Sequence, residues 1–321
     1  MFGHHSTEGL VAMSLLSLPL IRLWSFGTVA GFALVFSALG ATQQTPSAGR
    51  IERLENFPSK YVDARHVEVW LPPGFDASQR YAVLYMHDGQ MLFDPSTTWN
   101  KKAWRVDDVA ARLMAEGTVR DFIIVAPWSN GELRHAEYFP AGFLPHLPAD
   151  VRAKFETEAF KGRSLSDDYL RFLVKELKPA IDARYPTLTG RDDTFAMGSS
   201  MGGLISLYAL CEYPEVFGAA AALSTHWIGR HERNDEVPNA ALAYLREKLP
   251  KPGSARLYMD RGTTELDALY DESQPRIDAL LAELGYTAPF FTTRVFEGAG
   301  HNENDWHDRV DQPLAFLLEA R

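Results

Sequence analysis

The chain reads as an α/β protein, a mostly parallel central sheet with helices on both faces. Three observations predict this. Short unbroken apolar runs, Ala82–Met86 and Phe122–Ala126, look like strands buried on both faces. Segments with helical spacing, such as Val106–Glu116 and Tyr169–Tyr185, alternate with such runs. The 321 residues, 46% hydrophobic and 23% charged, suit one large domain with a sizeable core.

The elements follow in order. Arg22 precedes an apolar run, Leu23–Leu39, and then come Gly40 and Ala41. Charge, apolar stretch and small residues make the pattern of a secretory signal over residues 1–41, with cleavage after Gly40 or Ala41. The rival is an uncleaved anchor, because the run approaches the ~20 residues that span a bilayer. The signal peptide is preferred, so the protein is expected to be exported, to the periplasm or outside the cell. Residues 42–60 read as a polar linker, with Gln43, Gln44, Pro46, Ser47 and Gly49. Residues 61–321 read as the catalytic domain.

His66–Leu71 alternates like a half-exposed strand and ends at Pro72-Pro73-Gly74. Residues 131–166 look like an irregular insertion over the sheet, with scattered aromatics and prolines. Pro179 should bend or weaken the helix Tyr169–Tyr185. Thr194–Met197 is a short strand, followed by Gly198-Ser199-Ser200-Met201-Gly202-Gly203 and the apolar helix Leu204–Cys211. Ala219–Leu223, Ala255–Met259 and Phe290–Phe296 are further strands. Ala240–Lys248, Ile277–Leu284 and Val310–Leu318 are further helices.

The charge balance is acidic: 42 Asp and Glu against 32 Lys and Arg, a net charge of -10. Such a surface repels phosphate backbones, so nucleic acid is no partner. The single cysteine, Cys211, excludes an intramolecular disulfide and a cysteine-rich zinc site. His301, Glu303, Asp305 and His307 lack the spacing of a zinc motif, so no metal is expected.

The chemistry centres on Gly198-Ser199-Ser200-Met201-Gly202, a G-x-S-x-G string between a strand and a helix. A serine on so tight a turn projects outward as a nucleophile, and its small neighbours avoid clashes. Ser199 competes but lacks the symmetric glycine flanks. The amide of Met201 opens a helix and can stabilise an oxyanion. A second donor is expected from Gly89 or Gln90, in the loop His87-Asp88-Gly89-Gln90 after a buried strand. The base is expected at His301, in a glycine loop after the last strand. Asp260, Glu265 and Asp267 follow the preceding strand and are the candidate acids. Asp267 is preferred, and Glu265 is the alternative. His226 and Trp227 are expected at the cleft rim, with Trp227 as a substrate wall. Arg134, Glu137 and Tyr138 either line the pocket or form an internal ion pair. Trp99 and Trp104 are read as packing residues.

Taken together, these residues resemble the esterase D (putative esterase) family of α/β-hydrolases. That family includes siderophore, feruloyl and acetylxylan esterases, S-formylglutathione hydrolases and mycolyltransferases. The resemblance rests on Leu84–Asp94 (LYMHDGQMLFD), Gly198–Gly203 (GSSMGG), Gly262-Thr263, and Gly300-His301-Asn302-Glu303 followed by Trp306. It implies the α/β-hydrolase fold and a triad of Ser200, His301 and an acid. It also implies a serine carboxylic-ester hydrolase without cofactor, acting on a small-molecule, carbohydrate or siderophore-type ester. Many members place an Asp three residues after the glycine of the Gly-Thr pair. Glu265 stands there in this chain, a departure, whereas relatives with a longer loop keep an Asp where Asp267 stands. The rival readings are an acyltransferase with the same triad and a non-catalytic binding protein of this fold.

Overall fold

A computed structural model of the chain describes residues 43–320. The leader read over residues 1–41 lies outside the described residues. Eight strands form one sheet: β1 (Arg50–Phe57), β2 (Arg65–Leu71), β3 (Ala82–Met86), β4 (Phe122–Pro127), β5 (Thr194–Ser199), β6 (Ala219–Leu223), β7 (Arg256–Arg261) and β8 (Phe291–Val295). Their spatial order is β1-β2-β4-β3-β5-β6-β7-β8. Strands β3 to β8 run parallel. β2 pairs antiparallel with both β1 and β4. The sheet is therefore mostly parallel, as the sequence predicts.

Alternate residues of each strand feed two cores. Val83 and Tyr85 point to one face, and Ala82, Leu84 and Met86 to the other. The second face is covered by α1 (Val106–Ala115) and by the C-terminal α9 (Glu303–His307) and α10 (Asp311–Leu318). The first carries α2 (Arg134–Tyr138), α3 (Ala149–Lys154), α4 (Ser166–Arg171), α5 (Lys178–Arg184), α6 (Met201–Glu212), α7 (Glu236–Lys248) and α8 (Ser273–Glu283). Helix α6 is buried from Met201 to Cys211, because sheet and helices enclose it on all sides. That explains its uniformly apolar sequence.

β4 lies on one side of β3 and β5 on the other. The chain therefore reverses direction across the sheet at β3. The carboxyl ends of β3 and β5 open the crevice in which such sheets hold ligands.

The linker expected over residues 42–60 is not one. Arg50–Phe57 is the edge strand β1, paired along β2. Gln44 is buried and donates to the Gly89 carbonyl at 2.7 Å and to Glu68. Arg53 pairs with the same Glu68 at 2.6 Å. Ser47 donates its N–H and its hydroxyl to Asp107, each at 2.6 Å. The polar composition reflects an edge strand with one solvated side and an arm that satisfies buried carboxylates.

The insertion at 131–166 is also more regular than expected. It folds as α2, α3 and short helical turns. Phe139, Phe155 and Phe160 pack together there, with ring centroids 4.7–5.7 Å apart. Pro140, Pro145 and Pro148 keep each turn short. At Pro179 the helix weakens as predicted. The turn before it, Phe172–Leu177, widens to a π-helical turn, which accommodates the missing N–H.

A chain beginning at residue 43 should melt like the full domain. One beginning at residue 58 loses β1 and both partners of the buried Glu68. It should be destabilised by about 3–5 kcal/mol, read as a lower Tm. Equal melting of the two would restore the linker reading.

Candidate active site

Ser200 lies between β5 and α6 with φ 58° and ψ -122°, a strained conformation for a residue with a side chain. Two backbone bonds hold it. Its N–H donates to the Leu223 carbonyl at 2.9 Å, and its carbonyl accepts from the His226 N–H at 3.2 Å. The turn closes so tightly that a Cβ at position 198 would come within 2.8 Å of the Gly202 backbone. At position 202 a Cβ would meet only ordinary contacts at 3.5 Å, so the steric demand falls mainly on Gly198. Ser199 is buried but for a small part that borders the second lobe of the cleft.

His301 reaches the same cleft from the loop after β8. Its Nδ1 is 2.5 Å from Asp267 Oδ1. A carboxylate only accepts, so Nδ1 carries the hydrogen. Trp306 packs edge-on against the imidazole at 5.1 Å between centroids. Asp267 is fully buried. Its Oδ2 accepts from the Gly262 N–H at 2.5 Å and from the Ser224 hydroxyl at 2.6 Å. Ser224 in turn accepts from Trp306 Nε1 and Arg309 Nη2, each at 2.9 Å. Arg309 also pairs with buried Asp260 at 3.2 Å. Burial pushes the Asp260 carboxyl up to about 6, against the pull of Arg309.

Glu265 does something else. Its carboxylate accepts from the His301 N–H at 2.8 Å and from Asn302 Nδ2 at 3.2 Å. It clips the backbone of the histidine loop, whereas Asp267 holds the ring.

On the opposite wall, Gly89 opens a single helical turn, Gly89–Met91, after Asp88. A Cβ at Gly89 would collide with the Ala126 carbonyl of β4, so only glycine fits. The N–H groups of Gly89, Gln90 and Met201 stand at helix starts, where no carbonyl of the same helix can accept from them. The Gln90 side chain is engaged with Ser129, at 2.7 and 3.1 Å. Arg134 grips Asp88 in a two-point fork, both bonds 2.7 Å. Burial opposes the charge on Asp88, but the adjoining guanidinium holds its carboxyl below the usual range. Behind this loop, burial pushes the His87 imidazole down to about 4, and its Nδ1 is 2.9 Å from the Tyr169 hydroxyl.

Two lobes meet at Ser200. One, of about 500 Å³, includes Val151, Phe155, Ala159, Met201 and His226. The other, of about 740 Å³, includes Gln90, Trp99, Asn100, Lys102, His301 and Asn302. Arg134 borders both. Trp99, read as a packing residue, is 84% exposed at the second lobe.

Two residues expected at the cleft lie elsewhere. Trp227 is fully buried in the core, its Nε1 donating to Gln274 at 2.6 Å, and it walls no substrate. Tyr138 is also fully buried, and its hydroxyl accepts from the Asp88 N–H at 3.3 Å. Glu137 forms the internal ion pair that was the other option, with Arg65 at 2.6 Å. His226 does line the first lobe. Sequence reading missed Ser224, Tyr270, Arg309 and the Asp88–Arg134 fork, whose partners meet only through the fold.

The fold is that of an α/β-hydrolase, and the family match makes the chain a carboxylic-ester hydrolase. The chain belongs to the family described as "Putative esterase", which matches residues 60–317. It is similar to protein YbbA of Bacillus subtilis (strain 168), with 22% identity over 261 residues, covering 79% of this chain and 92% of that one. It is also similar to an endo-1,4-beta-xylanase/feruloyl esterase of Xylanibacter ruminicola, with 25% identity over 187 residues, 55% of this chain and 22% of that protein. Among solved structures, a ferulic acid esterase superposes with a TM-score of 0.60 at 22% identity, covering 84% of this chain and 97% of its own. The enterobactin esterase of Shigella flexneri, solved in the presence of enterobactin, gives 0.63 at 19% identity, covering 85% and 60%. These structural likenesses are likenesses of fold. Among the described residues, no helix is long and apolar enough to cross a membrane.

The Asp88–Arg134 fork should leave a pH signature. The carboxyl of Asp88 is held low in the folded state. Its contribution is therefore present above the unfolded value, about 3.9, and is lost as the pH falls through the lower folded one. Arg134→Leu should lower the Tm near pH 7, with the gap to the parent protein closing below about pH 4. A gap independent of pH would show that the fork contributes only packing.

Proposed function

We propose that this protein is a serine esterase working through an acyl-enzyme on Ser200, with His301 as base and Asp267 as the acid. The observation that carries the proposal is the Asp267–His301 contact of 2.5 Å, between a buried carboxylate and an imidazole that borders the cleft Ser200 also lines. His301 Nε2 takes the serine proton as Ser200 attacks the ester carbonyl. The amides of Met201 and of Gly89 or Gln90 stabilise the oxyanion. Asp267 holds the ring and offsets the charge of the imidazolium. His301 then protonates the departing alcohol and activates water for deacylation.

The position of the base assigns the lobes. The leaving alcohol must lie beside His301, in the larger lobe with its polar rim of Gln90, Asn100 and Asn302. The acyl group then occupies the smaller lobe, walled by Val151, Phe155 and Met201. Both lobes mix apolar and polar walls, with Lys154, Glu158 and Arg230 in the smaller and Met91, Trp99 and Trp306 in the larger, so each can take a group with an apolar body and a polar edge. A feruloyl esterase and an enterobactin esterase are among the similar proteins. The run Leu23–Leu39 supports export to the periplasm or beyond.

Ser200→Ala should reduce turnover of a short aryl ester by ~10⁴-fold or more. Retained turnover in the folded variant removes Ser200 from the mechanism. Asp267→Asn should cost on the order of 10⁴-fold in kcat, because the imidazole loses its correct tautomer. Glu265→Gln keeps an acceptor oxygen for the His301 N–H and should cost far less. The reverse order of the two would make Glu265 the acid.

A further inference from the structure

One side chain of the arm before β1 reaches the loop behind the proposed oxyanion site. Gln44 is buried, and its carboxamide makes four hydrogen bonds, as many as such a group can make. Nε2 donates to the Gly89 carbonyl at 2.7 Å and to the Glu68 carboxylate. Oε1 accepts from the N–H groups of Phe93 at 2.9 Å and Asp94 at 3.2 Å. A carboxylate and a carbonyl only accept, and an N–H only donates, so a flipped amide would lose all four bonds. Glu68 is itself fully buried and paired with Arg53 at 2.6 Å. The turn from Gly89 to Asp94 is thus gripped at both ends by one oriented group.

The bond to Gly89 bears on the cleft. The Gly89 carbonyl and the Gln90 N–H belong to one trans peptide unit, so they share a plane and point opposite ways. With the carbonyl turned to Gln44, the Gln90 N–H turns away from the arm. Gln90 lines the lobe that Ser200 also lines. The turn's own bond to that carbonyl, from the Leu92 N–H, is long at 3.4 Å, so the peptide plane rests mainly on Gln44. A donor on the carbonyl also polarises the peptide and strengthens its N–H. Fastening the arm does not need this bond. The Thr45 N–H already bonds Asp94 at 3.2 Å, and Ser47 bonds Asp107 at 2.6 Å.

Building on the serine-esterase reading, we propose that Gln44 is a positioning residue for the oxyanion. It fixes the Gly89–Gln90 peptide so that the Gln90 N–H, rather than that of Gly89, faces the oxygen that takes charge when Ser200 attacks. Gln44 touches no substrate and exchanges no proton. Its effect passes through one peptide plane, and it matters only once the charge has formed.

The test uses the full chain and a short aryl ester, and reads kcat and KM beside inhibition by a trifluoromethyl ketone of matching acyl chain. Ser200 adds to the ketone and makes an oxyanion. The matching carbinol makes none and is the control for ground-state binding. Gln44→Met keeps the length and loses all four bonds. It should lower kcat and weaken the ketone by a similar factor, on the order of 10- to 100-fold, with KM and carbinol inhibition little changed. Gln44→Lys keeps a donor for Gly89 and Glu68 and should recover much of both losses, although it gives up the bonds to Phe93 and Asp94. Parent kcat and ketone inhibition in folded Gln44→Met, assayed well below its Tm, overturn the proposal and leave Gln44 a purely structural role. A fall in kcat that spares the ketone overturns it as well. Should Gln44→Met fail to fold, Gln44→Lys is compared with the double variant Gln44→Glu, Glu68→Gln, which keeps one carboxylate near Arg53 but has no donor at position 44. Faster turnover and tighter ketone binding by Gln44→Lys then support the proposal, and equal or lower values overturn it. Turnover by Ser200→Ala would sink the underlying esterase reading instead, whatever the variants at position 44 do.

Discussion

A buried carboxylate keeps its charge only if it is hydrogen-bonded or paired, and otherwise takes up a proton. Asp267 has no exposed surface, and its requirement organises half the molecule. Gly262, at the end of β7, supplies an amide, and Ser224, just after β6, supplies a hydroxyl. His301 supplies the third partner, from the loop before α9. Ser224 is itself held by Trp306 of α9 and by Arg309, which also serves Asp260 at the end of β7. Two strands, two loops and a terminal helix are thereby locked around one side chain. The imidazole of His301 inherits that rigidity.

The opposite wall of the cleft is assembled by different means. The loop after β3 must pass so close to β4 that only glycine fits at position 89. Its preceding residue, Asp88, is caught by Arg134 from the insertion and by the Tyr138 hydroxyl. Gln44, from the N-terminal arm, holds the Gly89 carbonyl. Arm, insertion and loop therefore converge on the amides proposed to bind the oxyanion. The arm at 43–60 and the insertion at 131–166, which read from sequence as a linker and an irregular insertion, stiffen the site from behind.

The misreadings share a cause. Trp227 follows His226, and the pair looked like one rim. Consecutive side chains leave in different directions, so His226 lines the cleft while Trp227 fills the core. Tyr138 sits in a segment that covers the cleft, but covering residues have an inner side as well, and its hydroxyl faces the backbone of Asp88. The arm looked like a linker because edge strands and linkers are polar alike, and only pairing with β2 tells them apart.

What the sequence determined by itself was what is local. Buried runs give parallel strands, and G-x-S-x-G between strand and helix presents Ser200. A glycine loop after the last strand presents His301. These signals lie within a few residues of the groups they position, so no partner from elsewhere is needed to read them. What only the tertiary structure decided was the pairing across the chain. Asp267 and Glu265 sit in one turn with similar chemistry, and only the approach of the His301 loop gives one the imidazole and the other the backbone. The Asp88–Arg134 fork and the meeting of Tyr270 with His226 arise in the same way. Hydrogen bonds between distant segments are set by the register of the sheet and the packing of its helices, and no run of neighbouring residues encodes them.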